Sequence, residues 1–180
     1  TSLFDTTNIT QSQAMNGDIV IELGLDNFMA DGGSLATSSA VDTLFMTLTA
    51  PTGFVITSIS YSETGQGETQ NGVAMASGSI VANGIPANFL TQVFAPNTPP
   101  NAWSITVLPI AINNKESIDV NITNSLFAFA FAAGQTTQIE KTSASLTVGL
   151  SAIPIPPAIW MMGAAITALV TVGRRGGQAS

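Results

Sequence analysis

The chain has no cysteine and no histidine. These absences remove disulfides, zinc sites built on thiolate or imidazole, haem ligation through either side chain, and iron–sulfur clusters. They also remove every nucleophile–base pair that needs His or Cys. Charge is scarce too. Asp, Glu, Lys and Arg make up 8% of 180 residues, against roughly 25% in ordinary soluble domains. The four cations are Lys115, Lys141, Arg174 and Arg175. Residues 1–150 hold all eleven acids and both lysines, a net charge of −9. Nucleic-acid binding depends on clustered Lys and Arg that displace phosphate counterions, so this composition excludes it. There is no phosphate-binding Gly-rich loop. Two Trp and one Tyr are few for a sugar-stacking cleft.

Thr, Ser, Asn, Gln and Gly stand where charge is missing. The length suits one domain plus an appendage, enough to bury a core without covalent staples. The chain begins at Thr1 rather than Met, and it reads as a mature protein whose signal peptide has been removed.

Residues 1–150 read as strands, because short β-branched and aromatic runs alternate with period two. "DIVIEL" puts Ile19 and Ile21 on one side. "VDTLFMTLTA" puts Leu44, Met46 and Leu48 on one face and Phe45 with three threonines on the other. In "GFVITSISYSE", Val55, Thr57, Ile59 and Tyr61 share a face, and the alternation is cleaner in the second half. In "LFAFAFAAG", Phe127, Phe129 and Phe131 share one face as core fillers, and the alanines opposite allow close approach of a second layer or a partner. "SASLTVGLS" points Ala144, Leu146, Val148 and Leu150 one way. Asn16-Gly17, Asn71-Gly72 and Asn83-Gly84 suit tight hairpins, since Asn and Gly tolerate positive φ. "NNKES" at 113–117 is a further turn. The sum is roughly eight to ten strands at antiparallel-sandwich spacing. The predicted fold is all-β, an antiparallel β-sandwich of Ig-like or jelly-roll-like type, followed by one C-terminal transmembrane helix. The predicted layout is an N-terminal arm or edge strand at 1–15, an extracytoplasmic sandwich at 16–151, a Pro-rich linker at 152–157, the helix at 158–173, and a basic cytoplasmic tail at 174–180.

Little in the sandwich suggests chemistry. A Ser–Lys dyad has only Lys115 or Lys141 to draw on, and both are expected in solvent near turns or strand ends. Paired carboxylates for glycoside hydrolysis would come from Glu22, Asp26, Asp31, Asp42, Glu63 and Glu68, and a solvated face is the expectation for these. "LDNFMADGG" offers Asp26, Asn27 and Asp31 as weak calcium ligands, without EF-hand spacing. Asn-X-Thr triplets stand at Asn8 and Asn121. No catalytic residue and no cofactor is assigned.

The C-terminus is more informative. Thr142 to Gly173 carries no charge. Pro154, Pro156 and Pro157 end the last strand, and Pro157 suits the first turn of a helix. Apolar residues then surround the helix axis rather than forming one stripe. With the prolines the run is about 17 or 18 residues, the low end for a bilayer span. Trp160 sits at the level of an interfacial belt, and Arg174-Arg175 marks a cytoplasmic boundary, so the N-terminal domain lies outside. Gly163, Thr167 and Thr171, like Ala164 and Ala168, are four apart, which lets another helix pack closely.

This ending, Ile153-Pro154-Ile155-Pro156-Pro157, then the apolar run with Trp160, then Arg174-Arg175, resembles the PEP-CTERM sorting signals of exosortase-processed bacterial envelope proteins. Its motif is closer to the Val-Pro-Leu-Pro-Ala variant than to Val-Pro-Glu-Pro, with Pro157 in place of Ala. The resemblance implies a Gram-negative envelope location, in the inner membrane with a periplasmic domain or on the cell surface after sorting. The expected function is a non-catalytic, single-pass anchored sandwich with a structural or interaction role, whose partners are other envelope chains. One alternative is an accessory subunit of a photosynthetic or respiratory membrane complex, docked by its helix. A second is a calcium- or glycan-binding module.

Overall fold

The computed structural model describes residues 3–154 apart from positions 16 and 34. The expectations for Pro156, Pro157, Trp160, Gly163, Ala164, Thr167, Ala168, Thr171, Arg174 and Arg175 fall outside the described residues. Among those described, no helix is long and apolar enough to cross a membrane. Eleven strands fall in the described range: β1 (Phe4–Gln13), β2 (Ile19–Leu25), β3 (Met29–Asp31), β4 (Thr37–Thr49), β5 (Phe54–Thr69), β6 (Gly72–Ala82), β7 (Ile85–Asn88), β8 (Gln92–Phe94), β9 (Thr98–Lys115), β10 (Ser117–Ala130) and β11 (Thr137–Ala152).

They form two antiparallel sheets. The larger runs β1-β2-β11-β5-β9, with β3 following β2 along the same edge of β11. The smaller runs β4-β10-β6-β7, with β8 and β7 taking successive stretches of β6. Buried side chains from both sheets fill one core between them. The expected sandwich is there. The extra strands over the sequence count are brief: β3, β7 and β8 span 3, 4 and 3 residues, too short to show a period. β1 is an edge strand paired to β2, and its Phe4 enters the core and meets Phe28 edge-on at 5.7 Å.

Most inward-facing assignments hold: Leu44, Ala144, Leu146 and Val148 are buried, and Ile19, Ile21, Met46, Leu48 and Leu150 pack against the core. Two do not. In β5, Ile56, Ile59 and Tyr61 are all buried, so the inward parity changes between Ile56 and Ile59. The pairing shifts register there with both neighbours, Ser58 to Gly149 but Ile56 to Leu150, and Ser58 to Ala111 but Ile56 to Lys115. The extra residue of a bulge turns the following side chains to the other face. In β10 the predicted core face is inverted. Ala128 and Ala130 are fully buried, whereas Phe131 is 48% exposed and Phe127 and Phe129 are half-buried on the outer face. The second layer is too close for rings: a Cβ on Gly32 would stand 2.6 Å from the Ala128 carbonyl. The alanines do permit close approach, and the phenylalanines are displaced outward by it.

Asn83-Gly84 is the two-residue hairpin expected between β6 and β7, with φ of 51° and 79°. Asn71-Gly72 is not a hairpin. It carries the chain from β5 in the larger sheet to β6 in the smaller, where Gly72 pairs with Ala130. A side chain at Gly72 would meet the Phe129 carbonyl and the Thr137 hydroxyl, so close approach is why glycine stands there.

Candidate functional site

Two features of the sandwich are chemically unusual. The first is a polar chain inside the core. The inner face of β5 reads Ile59, Tyr61, Glu63, and all three are at most 1% exposed. β10 places Asn124 inward between Ile122 and Leu126, and β11 places Lys141 inward two residues after Ile139. The Tyr61 hydroxyl donates to Glu63 Oε2 at 2.8 Å. Lys141 Nζ donates to the same oxygen at 2.5 Å and lies 3.5 Å from the Tyr61 oxygen. Asn124 Nδ2 donates to Tyr61 at 3.1 Å from the opposite sheet. The Nζ also sits 4.7 Å from the centre of the Phe28 ring and 5.7 Å from that of Phe4. Phe89 stacks on Tyr61 at 5.0 Å. Glu63 Oε1 and Asn124 Oδ1 are buried without a protein partner.

Burial penalises the charged form of Lys141 and pulls its ammonium down to about 8, against the opposing pull of the Glu63 carboxylate. Burial, then the charge on Glu63, pushes the Tyr61 phenol above its ordinary range. Lys141 and Glu63 are therefore corrections: neither lies in solvent. The polar neighbours of Lys141 in sequence point the other way on the strand. Lys115 does stay exposed, at the end of β9.

The remaining acids do not converge. Glu22, Asp26 and Asp31 are exposed, Glu68 is half-buried, and Asp42 accepts from the backbone N–H of Leu3 and Phe4. Asp26 and Asn27 lie in the β2–β3 turn and Asp31 ends β3, and among the described residues no three acids gather to hold a metal. Asn121 lies in mid-β10 with its Oδ1 buried, so that triplet sits inside a sheet. Asn8 is on the exposed edge strand, its amide held by Asp5. Pro154 is exposed beyond the end of β11.

The second feature is the outer face of the smaller sheet. Cross-strand rows there read Phe45–Asn121–Val81–Pro86 near one end and Ser39–Phe127–Met75–Val93, then Thr37–Phe129–Val73, near the other. Hydroxyl rows such as Thr43–Thr123–Ser79 lie between. Phe45 is 73% exposed and Val41 59%. Asp119 is the one charge on these rows and lies at the end, taking a hydrogen bond from Thr47. A groove of about 420 Å³ beside Phe45, Val81 and Asn121 opens onto this face. The chain leaves β11 at this same end, where Ala152 pairs with Phe54 and the N–H of Ile153 donates to Gly53.

Tyr61 and Asn124 were not singled out from the sequence. Their signal was present, because each continues an alternating row of buried residues: Ile59-Tyr61-Glu63, and Ile118-Val120-Ile122-Asn124-Leu126.

No family model and no curated protein matches the chain. Among solved structures it is similar to one described as "CBM4 structure and function", at 9% identity over 81% of this chain and 78% of that one, with a TM-score of 0.26. It is also similar to the CBM36-1 domain of a multidomain xylanase from the hindgut metagenome of Trinervitermes trinervoides, at 12% identity over 85% and 94% of the two chains, with a TM-score of 0.26. Likeness at this level bears on neither ligand nor activity.

Proposed function

We propose that this chain is a non-catalytic envelope β-sandwich, tethered to a bacterial membrane by residues 158–173, that works by contact with other chains. The outer face of the smaller sheet carries the reading. Phe45, Val41, Phe131 and Val93 are 48–73% exposed, and β4, β10 and β6 offer no charge there between Asp119 and their far ends. Water-facing sheets normally carry charge on that side, and a face with apolar rows near both ends, hydroxyl rows between them and charge only at Asp119 has the composition of an interaction surface. It begins at the end from which the chain runs toward its uncharged apolar tail, so an anchored sandwich would hold Phe45 near the membrane and Val93 away from it.

Cell fractionation of the full chain in a Gram-negative host tests this. The chain is expected to stay with membranes through an alkaline carbonate wash. The sandwich should become protease-sensitive once the outer membrane is opened, and truncation after Pro154 should release it. A chain found in the soluble fraction, or one digested only after the inner membrane is broken, overturns the reading.

A further inference from the structure

A cysteine-free sandwich has no disulfide to tie its sheets together. Instead, three reactive side chains meet in its core from three strands. Lys141 Nζ and Asn124 Nδ2 flank one atom, the Tyr61 hydroxyl oxygen, at 3.5 and 3.1 Å. Glu63 Oε2 is 2.5 Å from the amine. Phe4 and Phe28 close over the Nζ. Glu63 Oε1 and Asn124 Oδ1 have no partner, which costs free energy in a dry core and asks for an explanation. A primary amine, a primary carboxamide and a carboxylate, the last touching the amine directly and linked to the carboxamide through the Tyr61 hydroxyl, are the parts of an acyl transfer shielded from water.

We infer that Lys141 and Asn124 become joined by a side-chain amide bond, a covalent staple between β11 of the larger sheet and β10 of the smaller, with Glu63 as the proton carrier. Glu63 first takes a proton from the Lys141 ammonium. The neutral Nζ then adds to Asn124 Cγ, and the carbonyl pair moves onto Oδ1. As the tetrahedral centre collapses, Cγ–Nδ2 breaks. The Tyr61 hydroxyl passes its proton to the departing Nδ2 and is refilled by the proton on Glu63, which then takes one from Nζ. One ammonia leaves, Glu63 ends protonated, and nothing is oxidised or reduced. The lowered affinity of buried Lys141 for its proton favours the first step. Tyr61 begins and ends the sequence as a neutral phenol bonded to Glu63.

The test is the mass of the intact full chain, purified in detergent, followed by digestion and tandem mass spectrometry. The expected mass is lower than the sequence mass by one ammonia, and a peptide containing Lys141 should be found bonded to one containing Asn124. A succinimide at an asparagine also loses ammonia but leaves the two peptides separate, and that result overturns the inference. So does the full sequence mass. So does loss of one water, which would mean a Lys141–Glu63 amide. Lys141→Arg and Asn124→Leu are expected to restore the full mass. Glu63→Gln should restore it while keeping the side-chain volume. Because the wild-type spectrum alone decides, a variant that fails to fold does not protect the inference.

Discussion

Asn124 Nδ2 meets the Tyr61 hydroxyl at 3.1 Å across the gap between the two sheets, and through Tyr61 it is connected to a Lys141–Glu63 ion pair whose side chains are fully buried. An all-apolar core would hold two sheets together but would register them loosely. A polar chain of fixed geometry permits one alignment of β10 over β5 and β11. Its stability contribution is a separate matter, since a buried ion pair offsets a large desolvation cost.

That separation is measurable. In an Asn124→Leu background, where the amine stays free, Glu63→Leu leaves the Lys141 ammonium buried without its carboxylate and should cost about 3–5 kcal/mol. Adding Lys141→Met removes the stranded charge. The double variant is expected to recover most of that loss in urea denaturation. Asn124→Leu blocks the Lys141–Asn124 amide in every chain compared, so the comparison is unaffected by it. Equal stability of the single and double variants would mean that the pair is not shielded from water.

The titration of Lys141 should be visible in Asn124→Leu, where the amine stays free. Its folded affinity for a proton is lowered from 10.5 to about 8. Between these values the unfolded chain keeps a proton that the folded chain has released, so stability rises with pH from about 8. The full span is worth about 3 kcal/mol. Tyr61 acts in the opposite sense above its ordinary value of 10.0, because the unfolded phenol ionises while the buried one does not. Urea midpoints should therefore climb from pH 8 to about 10 and then fall. With Lys141→Met added, the climb should vanish and the fall remain.

Glycines at two positions are expected to differ sharply in tolerance. Gly84 has a φ of +79° and open space around it, so Gly84→Ala meets only backbone strain, about 1–2 kcal/mol. Gly65 faces Trp103 on β9, and a side chain there would run into the Trp103 ring and the Glu140 carbonyl. Gly65→Ala should yield no cooperative thermal transition by circular dichroism, whereas Gly84→Ala should melt cooperatively at a lower temperature.

Much of this architecture was legible because alternation reports faces directly. Leu44, Leu146 and Val148 face inward as their period-two pattern required. What alternation does not report is an added residue. The bulge before Ser58 changes parity without any compositional mark. Nor does it report layer spacing, which decides whether a Phe or an Ala stripe faces inward. Glu63 and Asn124 were legible by parity, on rows of buried residues, but residue type argued for solvent. Lys141 was obscured further by the register shift between it and Ser143, which puts Ala144 rather than Ser143 next on the inner face.

The inverted stripe of β10 gives the sharpest contrast between the two readings. If the rings of Phe127, Phe129 and Phe131 were core, Phe131→Ser would cost as much as a buried aromatic, about 3–5 kcal/mol. Phe131 is 48% exposed and touches Phe129 edge-on at 5.5 Å, so the expected loss is about 1 kcal/mol or less. Ala128 is 0% exposed, and the Gly32 backbone lies against it. Ala128→Leu must push β10 away from that segment, and overpacking of this kind costs about 1–3 kcal/mol or more. Thermal melts of the two variants should therefore rank opposite to residue size lost: the small-to-large change melts well below the wild type, and the large-to-small change melts close to it. The reverse ranking would return the rings to the core and remove the apolar outer face on which the proposed contact surface depends.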